Sequence, residues 1–146
     1  MKLDESLDCF HRYLARLWNQ DQRQAELSFN EYEYLTCLAA IEGVCDAHQD
    51  TVFDGPHLTD LAAKMQVKRA SASTMVNKLE KRGLIQRVQC RYDARAQHVL
   101  VTKAGMALVR KEQAIYKNMA TTIKQQLTKE EYRLFEKVMN KVCKHL

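Results

Sequence analysis

Leu3, Leu7, Phe10, Leu14 and Leu17 recur at spacings of four, three, four and three residues, which places all five on one narrow stripe of an amphipathic helix. Such a seam needs an apolar partner. Ser28 and Glu31 have the spacing of a capping box, with Leu27 and Tyr32 set as its hydrophobic staple, so a second helix is predicted from near Phe29 to about Gly43. Residues 44–57 show no clear periodicity and hold Asp54-Gly55-Pro56, the pattern of a helix end followed by a loop. Leu58 is read as a short strand, and Thr59 as the N-cap of a small helix running through Met65. Gln66, Val67 and Lys68 then make a turn. The next helix is predicted over 69–82, with Ala72, Met75, Val76 and Leu79 facing inward and Gly83 supplying the left-handed residue past its end. Ile85, Val88, Val99 and Val101 mark two strands over 84–90 and 97–102, joined by a polar tip at 91–96.

Thr102 is placed to cap a long helix whose apolar stripe is Met106, Val109, Tyr116, Met119 and Ile123. Thr128 and Glu131 form a second capping box, and the helix it opens carries Tyr132, Phe135, Met139, Val142 and Leu146 at spacings of three and four. The fold class expected is mainly α, within α+β: a winged helix-turn-helix head flanked by N- and C-terminal dimerisation helices. The corresponding divisions are 1–26 for the first helix, 27–105 for the head with its core at 58–105, and 106–146 for the last helices.

Charge sharpens this picture. Segment 58–105 holds ten of the 23 Lys and Arg residues but only three of the 18 acids, Asp60, Glu80 and Asp93, so the remainder of the chain is slightly acidic. A positive excess confined to a third of the chain reads as the footprint of a polyanion, most often a nucleic-acid backbone. One proline and four glycines in 146 residues agree with long helices, and 46% apolar with 28% charged residues is ordinary for a globular protein. No apolar run approaches the ~18 residues of a membrane span. The first 18 residues lack an apolar signal core and a small-residue cleavage site, so no membrane association and a cytoplasmic location are expected. Five cysteines, odd in number, far apart and without a CxxC pair, argue against a disulfide framework. No glycine-rich phosphate loop or nucleophile and base pair is apparent, so neither an enzyme nor a cofactor is expected.

A short helix, a tight turn, a second helix and a basic two-stranded hairpin is the plan of a winged helix-turn-helix. Its second helix can enter the major groove, where every base pair shows a distinct donor and acceptor pattern. That helix offers Arg69, Ser71, Ser73, Thr74, Asn77, Lys78 and Lys81 on its polar side. The sequence resembles the MarR family of bacterial transcription regulators along Leu58-Thr59-Asp60-Leu61-Ala62, Leu79-Glu80-Lys81-Arg82-Gly83-Leu84-Ile85, Asp93-Ala94-Arg95 and Val101-Thr102-Lys103-Ala104-Gly105. Leu27-Ser28 with Tyr34-Leu35 is similar to the start of that family's second helix.

The resemblance implies an obligate homodimer whose terminal helices interlace, with two heads reading a pseudo-palindromic operator in double-stranded DNA as a repressor. It also implies that Arg95 enters the minor groove, oriented by Asp93 through a charged hydrogen bond. Lys68, Arg69, Ser71, Ser73, Thr74, Asn77, Lys78, Arg91, Asp93 and Arg95 are therefore the expected DNA-binding residues. One position departs from the family: Lys68 stands where Ser commonly starts the recognition helix. Effectors of such proteins are small aromatic molecules bound between dimer helices and head, and Trp18, Tyr32, Tyr34 and Tyr116 are the candidate lining residues.

Some relatives sense oxidants through a thiol in their first helix, which makes Cys9 the first redox candidate and Cys90 the second. Asp4, Glu5 and Asp8 near Cys9 disfavour a thiolate. Cys45, His48, Asp54 and His57 lie close in sequence but lack a zinc spacing, and His11, His98 and His145 form no constellation, so no metal site is expected. The competing class is a helical interaction module or an RNA-binding protein. RNA readers usually present aromatic stacking platforms, and Tyr92 is the only aromatic residue in 58–105.

Overall fold

The computed structural model describes residues 1–20, 26–41 and 55–145. In chain order the elements are α1 (Leu3–Gln20), α2 (Phe29–Ala40), α3 (Leu58–Lys64), α4 (Arg69–Lys81), β1 (Ile85–Gln89), β2 (Gln97–Val101), α5 (Lys103–Gln126) and α6 (Lys129–Cys143). This is the mainly α winged helix-turn-helix arrangement that the apolar pattern predicts. The expected end of α2 near Gly43, and Cys45, His48 and Asp54, lie outside the described residues.

Local signals set most boundaries. At Ser28 the hydroxyl accepts from the Glu31 N–H at 3.2 Å, and the Glu31 carboxylate accepts from the Ser28 N–H at 2.8 Å. The same reciprocal pair opens α6, with Thr128 and Glu131 at 3.3 and 2.8 Å. The Thr102 hydroxyl accepts from the Gly105 N–H at 3.1 Å and donates to the Gly83 carbonyl at 2.7 Å. One threonine thus caps α5 and ties its start to the turn after α4. Gly83 has φ +72°, the left-handed value that costs glycine least.

The start of α3 differs from expectation. His57, rather than Thr59, is the N-cap, and its N–H donates to Asp60 Oδ2 at 2.8 Å. The extended residue is likewise His57 and not Leu58: it forms an isolated antiparallel bridge with His98, and the Val99 N–H donates to the Pro56 carbonyl at 2.9 Å. Pairing with a strand some forty residues away displaced the helix start by two positions, and no local propensity reports such pairing.

The hairpin is antiparallel, in register from Ile85 opposite Val101 to Gln89 opposite Gln97. Leu35, Leu38, Leu61, Ala72, Val76, Leu79 and Val101 are all fully buried and form one core with Leu27, Tyr34, Leu84 and Val109. Each large aliphatic side chain so buried contributes roughly 1.5–3 kcal/mol. Gly105 sits where this core leaves no room: a Cβ there would collide with the Leu84 carbonyl oxygen and stand 2.8 Å from Val101 Cγ1.

The chain divides into two compact units, 1–112 and 113–146. Within the first, Leu3 and Leu7 of the α1 stripe are 75% and 58% exposed. Within the second, Leu134, Phe135, Val138, Met139 and Val142 of α6 are exposed, and α6 has no buried residue. Both terminal seams therefore carry apolar side chains that this single chain leaves in water.

Candidate nucleic-acid interface

Burial of Ala72, Val76 and Leu79 fixes the rotation of α4 and turns its other face outward. Arg69, Ser71, Thr74, Asn77, Lys78 and Lys81 are exposed there, while Ser73 is half-buried. Lys68 is the N-cap and makes no side-chain capping bond. The first amides of α4 therefore keep the partial positive charge that favours an anion.

The polar face is also braced from below. Glu31, only 3% exposed, receives Lys78 Nζ at 3.0 Å on one oxygen and an Arg82 guanidinium nitrogen at 3.0 Å on the other. Burial alone would raise its pKa, but the Ser28 N–H and the two cations outweigh that and bring it down to about 2. Lys78 thus turns its ammonium toward α2, although its side chain stays 59% exposed. Thr74 donates its hydroxyl to the Ala70 carbonyl within the helix, at 3.0 Å. Arg87, on β1, bonds to Asn77 Oδ1 and pairs with Glu80 at 3.2 Å. One arginine thereby fastens the wing strand to α4.

At the wing tip Arg91, Asp93 and Arg95 are exposed. Asp93 Oδ1 accepts the backbone N–H of Arg95 at 2.8 Å. The aspartate acts on the Arg95 main chain in an Asx turn, which a short carboxylate closes two residues on, and so fixes where the arginine begins. Gln89 adds a brace that the sequence reading missed, its amide donating to the carbonyls of Ala94 and Ala96 at 2.8 and 3.0 Å. A glutamine in an exposed strand position has no local signature, since its partners lie across the turn. Between the wing and the start of α4 lies a cleft of about 650 Å³ whose lining includes Arg69, Arg87 and Arg95. Among the described residues that line it, Asp93 is the one acidic residue.

The remaining candidates fall in different places. Trp18 packs edge-on against Phe29 with ring centroids 5.2 Å apart, and against Tyr32 at 5.3 Å. Tyr34 belongs to the core of the head, and burial raises its hydroxyl pKa. Tyr116 lies in the second unit, on α5. Cys9 is exposed on α1, and Cys90 is buried at the end of the wing strand. His98, which forms no constellation in the sequence, meets His57 and Cys90 in the structure. No helix among the described residues is long and apolar enough to cross a membrane.

The model of the MarR family matches residues 51–96, the stretch that contains α3, α4, β1 and the wing tip. No curated protein sequence matches the chain significantly. Solved structures share its fold end to end. MepR, described as a transcription regulator of the Staphylococcus aureus multidrug efflux pump MepA, is 21% identical, with a TM-score of 0.74 over 99% of this chain and 98% of that one. A point mutant of S. aureus MepR gives 22% identity and a TM-score of 0.75 over the same shares of the two chains. MepR from an S. aureus MepR–DNA complex gives 23% identity and a TM-score of 0.67, covering 100% of this chain and 99% of the other.

Proposed function

We propose that this winged helix-turn-helix chain, MarR-like along 51–96 and in its whole fold, is a DNA-binding transcription regulator, not an enzyme, and acts as a homodimeric repressor. The observation that carries the reading is the single basic surface formed by α4 and the wing. Burial of Ala72, Val76 and Leu79 sets the rotation of α4, and Arg87 joins helix to hairpin, so Arg69 and Arg95 border the same cleft. In the proposed complex the start of α4 lies in the major groove, with Lys68, Arg69, Ser71, Ser73, Thr74 and Asn77 toward bases and nearby phosphates. Arg95 enters the adjacent minor groove, Arg91 meets the backbone, and Asp93 holds the tip. Lys78 serves the surface mainly by holding α4 through Glu31.

Two copies are needed to grip a two-fold site, whose halves stand one helical turn or ~34 Å apart. The exposed apolar stripes of α1 and α6 support that pairing, because water-exposed seams of this length are costly in a lone chain. An effector regulates such a dimer only if it favours one spacing of the heads over another. A small aromatic molecule acting near Trp18 and Tyr32, whose rings meet at 5.3 Å, or oxidation at exposed Cys9 or at Cys90, would release DNA in this way.

The test is a fluorescence anisotropy titration with duplexes selected from genomic fragments. Tight, steeply salt-dependent binding to a palindromic duplex is expected, and Arg95→Ala should weaken it by ~1–3 kcal/mol, the range for a specific contact. Equal affinity for a scrambled duplex, or for a single-stranded RNA, would remove the proposal.

A further inference from the structure

Three side chains remote in sequence meet where the wing joins the head. Residues opposite each other in an antiparallel pair project to the same face, and the His57–His98 bridge brings the two imidazoles into a stack with centroids 4.3 Å apart. Val88 pairs with His98 across the hairpin. Cys90, two residues beyond Val88, shares that face by the two-residue strand period. Two ring nitrogens and one sulfur consequently lie within 4.8 Å of one another.

The surroundings prepare these atoms for an ion. His98 is 1% exposed, and its Nδ1 is bonded to the Gly55 carbonyl oxygen. A carbonyl only accepts, so in the neutral ring Nδ1 is the nitrogen that carries the proton and Nε2 the one with the lone pair. His57 Nδ1 stands 3.6 Å from Asp60 Oδ2, while its Nε2 is buried with no hydrogen-bond partner among the described residues. The Gly55 carbonyl behind His98 is the outer-shell partner that orients a metal-bound histidine, while the Asp60 carboxylate stands further off behind His57. Cys90 carries a free thiol, and the cleft beside the wing reaches both Cys90 and His57. An ion would therefore have a way in.

We propose that His57, His98 and Cys90 form a binding site for a borderline-soft transition ion, zinc first, with a fourth position left for water. Two imidazoles and a thiolate suit zinc and not the oxygen-seeking magnesium or calcium. Zinc bond lengths of about 2.0–2.1 Å to nitrogen and about 2.3 Å to sulfur place tetrahedral ligand atoms roughly 3.3–3.6 Å apart. Small side-chain rotations bring the trio to that spacing. Binding replaces the Cys90 thiol proton, which leaves to solvent, with the metal–sulfur bond. The ion then ties the residue before α3, the residue after β1, and β2 into one unit and fixes the root of the wing. Its consequence for DNA rests on the function proposed above; the metal site itself does not.

The experiment reads metal first. Cobalt(II) added to the reduced full-length chain should give a thiolate-to-metal charge-transfer band that saturates at one ion per chain and is lost on adding zinc. Cys90→Ser should abolish the band, and His57→Gln, at a half-exposed cap position, should weaken zinc binding by at least ~10-fold with helicity unchanged in circular dichroism. X-ray absorption of the zinc-loaded unaltered chain should show one sulfur beside nitrogen donors, which needs no variant. The site is overturned by absence of the band, its survival in Cys90→Ser, unchanged affinity in folded His57→Gln, or a zinc shell without sulfur. Duplex affinity is then measured with and without zinc; a chain that binds zinc in this way but no duplex overturns the DNA reading alone.

Discussion

Replacing Glu31 by glutamine removes one charge from beneath α4 and leaves the shape of the side chain in place. Glutamine mimics the protonated acid, so the cost at neutral pH equals the free energy by which the fold favours the carboxylate. A pKa lowered from 4.5 to about 2 corresponds to roughly 3 kcal/mol at 1.36 kcal/mol per unit. Lys78 and Arg82 are 59% and 35% exposed, so water and salt screen part of this, and about 2 kcal/mol is expected at physiological ionic strength. The sign follows from the direction of the shift. A carboxylate whose folded pKa lies below its unfolded value contributes fully above about 4.5, and that contribution is lost as pH falls toward about 2. Urea unfolding followed by circular dichroism, at one fixed protein concentration so that any self-association contributes equally to both proteins, should show Glu31→Gln about 2 kcal/mol less stable at pH 7. The gap should narrow steadily between pH 4.5 and pH 3. A variant within 0.5 kcal/mol of the parent at pH 7, or one whose deficit persists undiminished at pH 3, would refute the clamp.

Three further perturbations probe other parts of the molecule. Gly105→Ala should destabilise the head by ~1–3 kcal/mol, the usual cost of overpacking, because its new Cβ meets the Leu84 carbonyl and Val101; thermal unfolding with an unchanged midpoint would contradict it. Gln89→Ala removes the brace to the Ala94 and Ala96 carbonyls and should weaken duplex binding several-fold while leaving urea stability within about 0.5 kcal/mol, as for an exposed site. Equal duplex affinity would show that the tip needs no such support. Leu7→Lys places a charge on the α1 stripe, where Leu7 is 58% exposed in the single chain, and should shift sedimentation equilibrium toward monomer; an unaltered dimer would exclude α1 from the interface.

What could be read from the linear order was whatever acts over three or four residues or along one element. The capping boxes at Ser28 and Thr128, the Thr102 cap, the left-handed Gly83 and the buried face of α4 all depend on neighbours within a turn. The basic surface was legible for a related reason: unpaired charge stays in solvent, so its concentration in 58–105 is visible in composition alone. Folding decided the pairings between distant segments. Glu31 grips Lys78 and Arg82, Arg87 reaches Asn77 and Glu80, and His57 sets the start of α3 by bridging to His98. Such contacts leave no periodic trace, because each partner is chosen by the register and crossing of whole elements. That is why three unremarkable residues, His57, Cys90 and His98, became a cluster only once the hairpin had closed against the extended residue before α3.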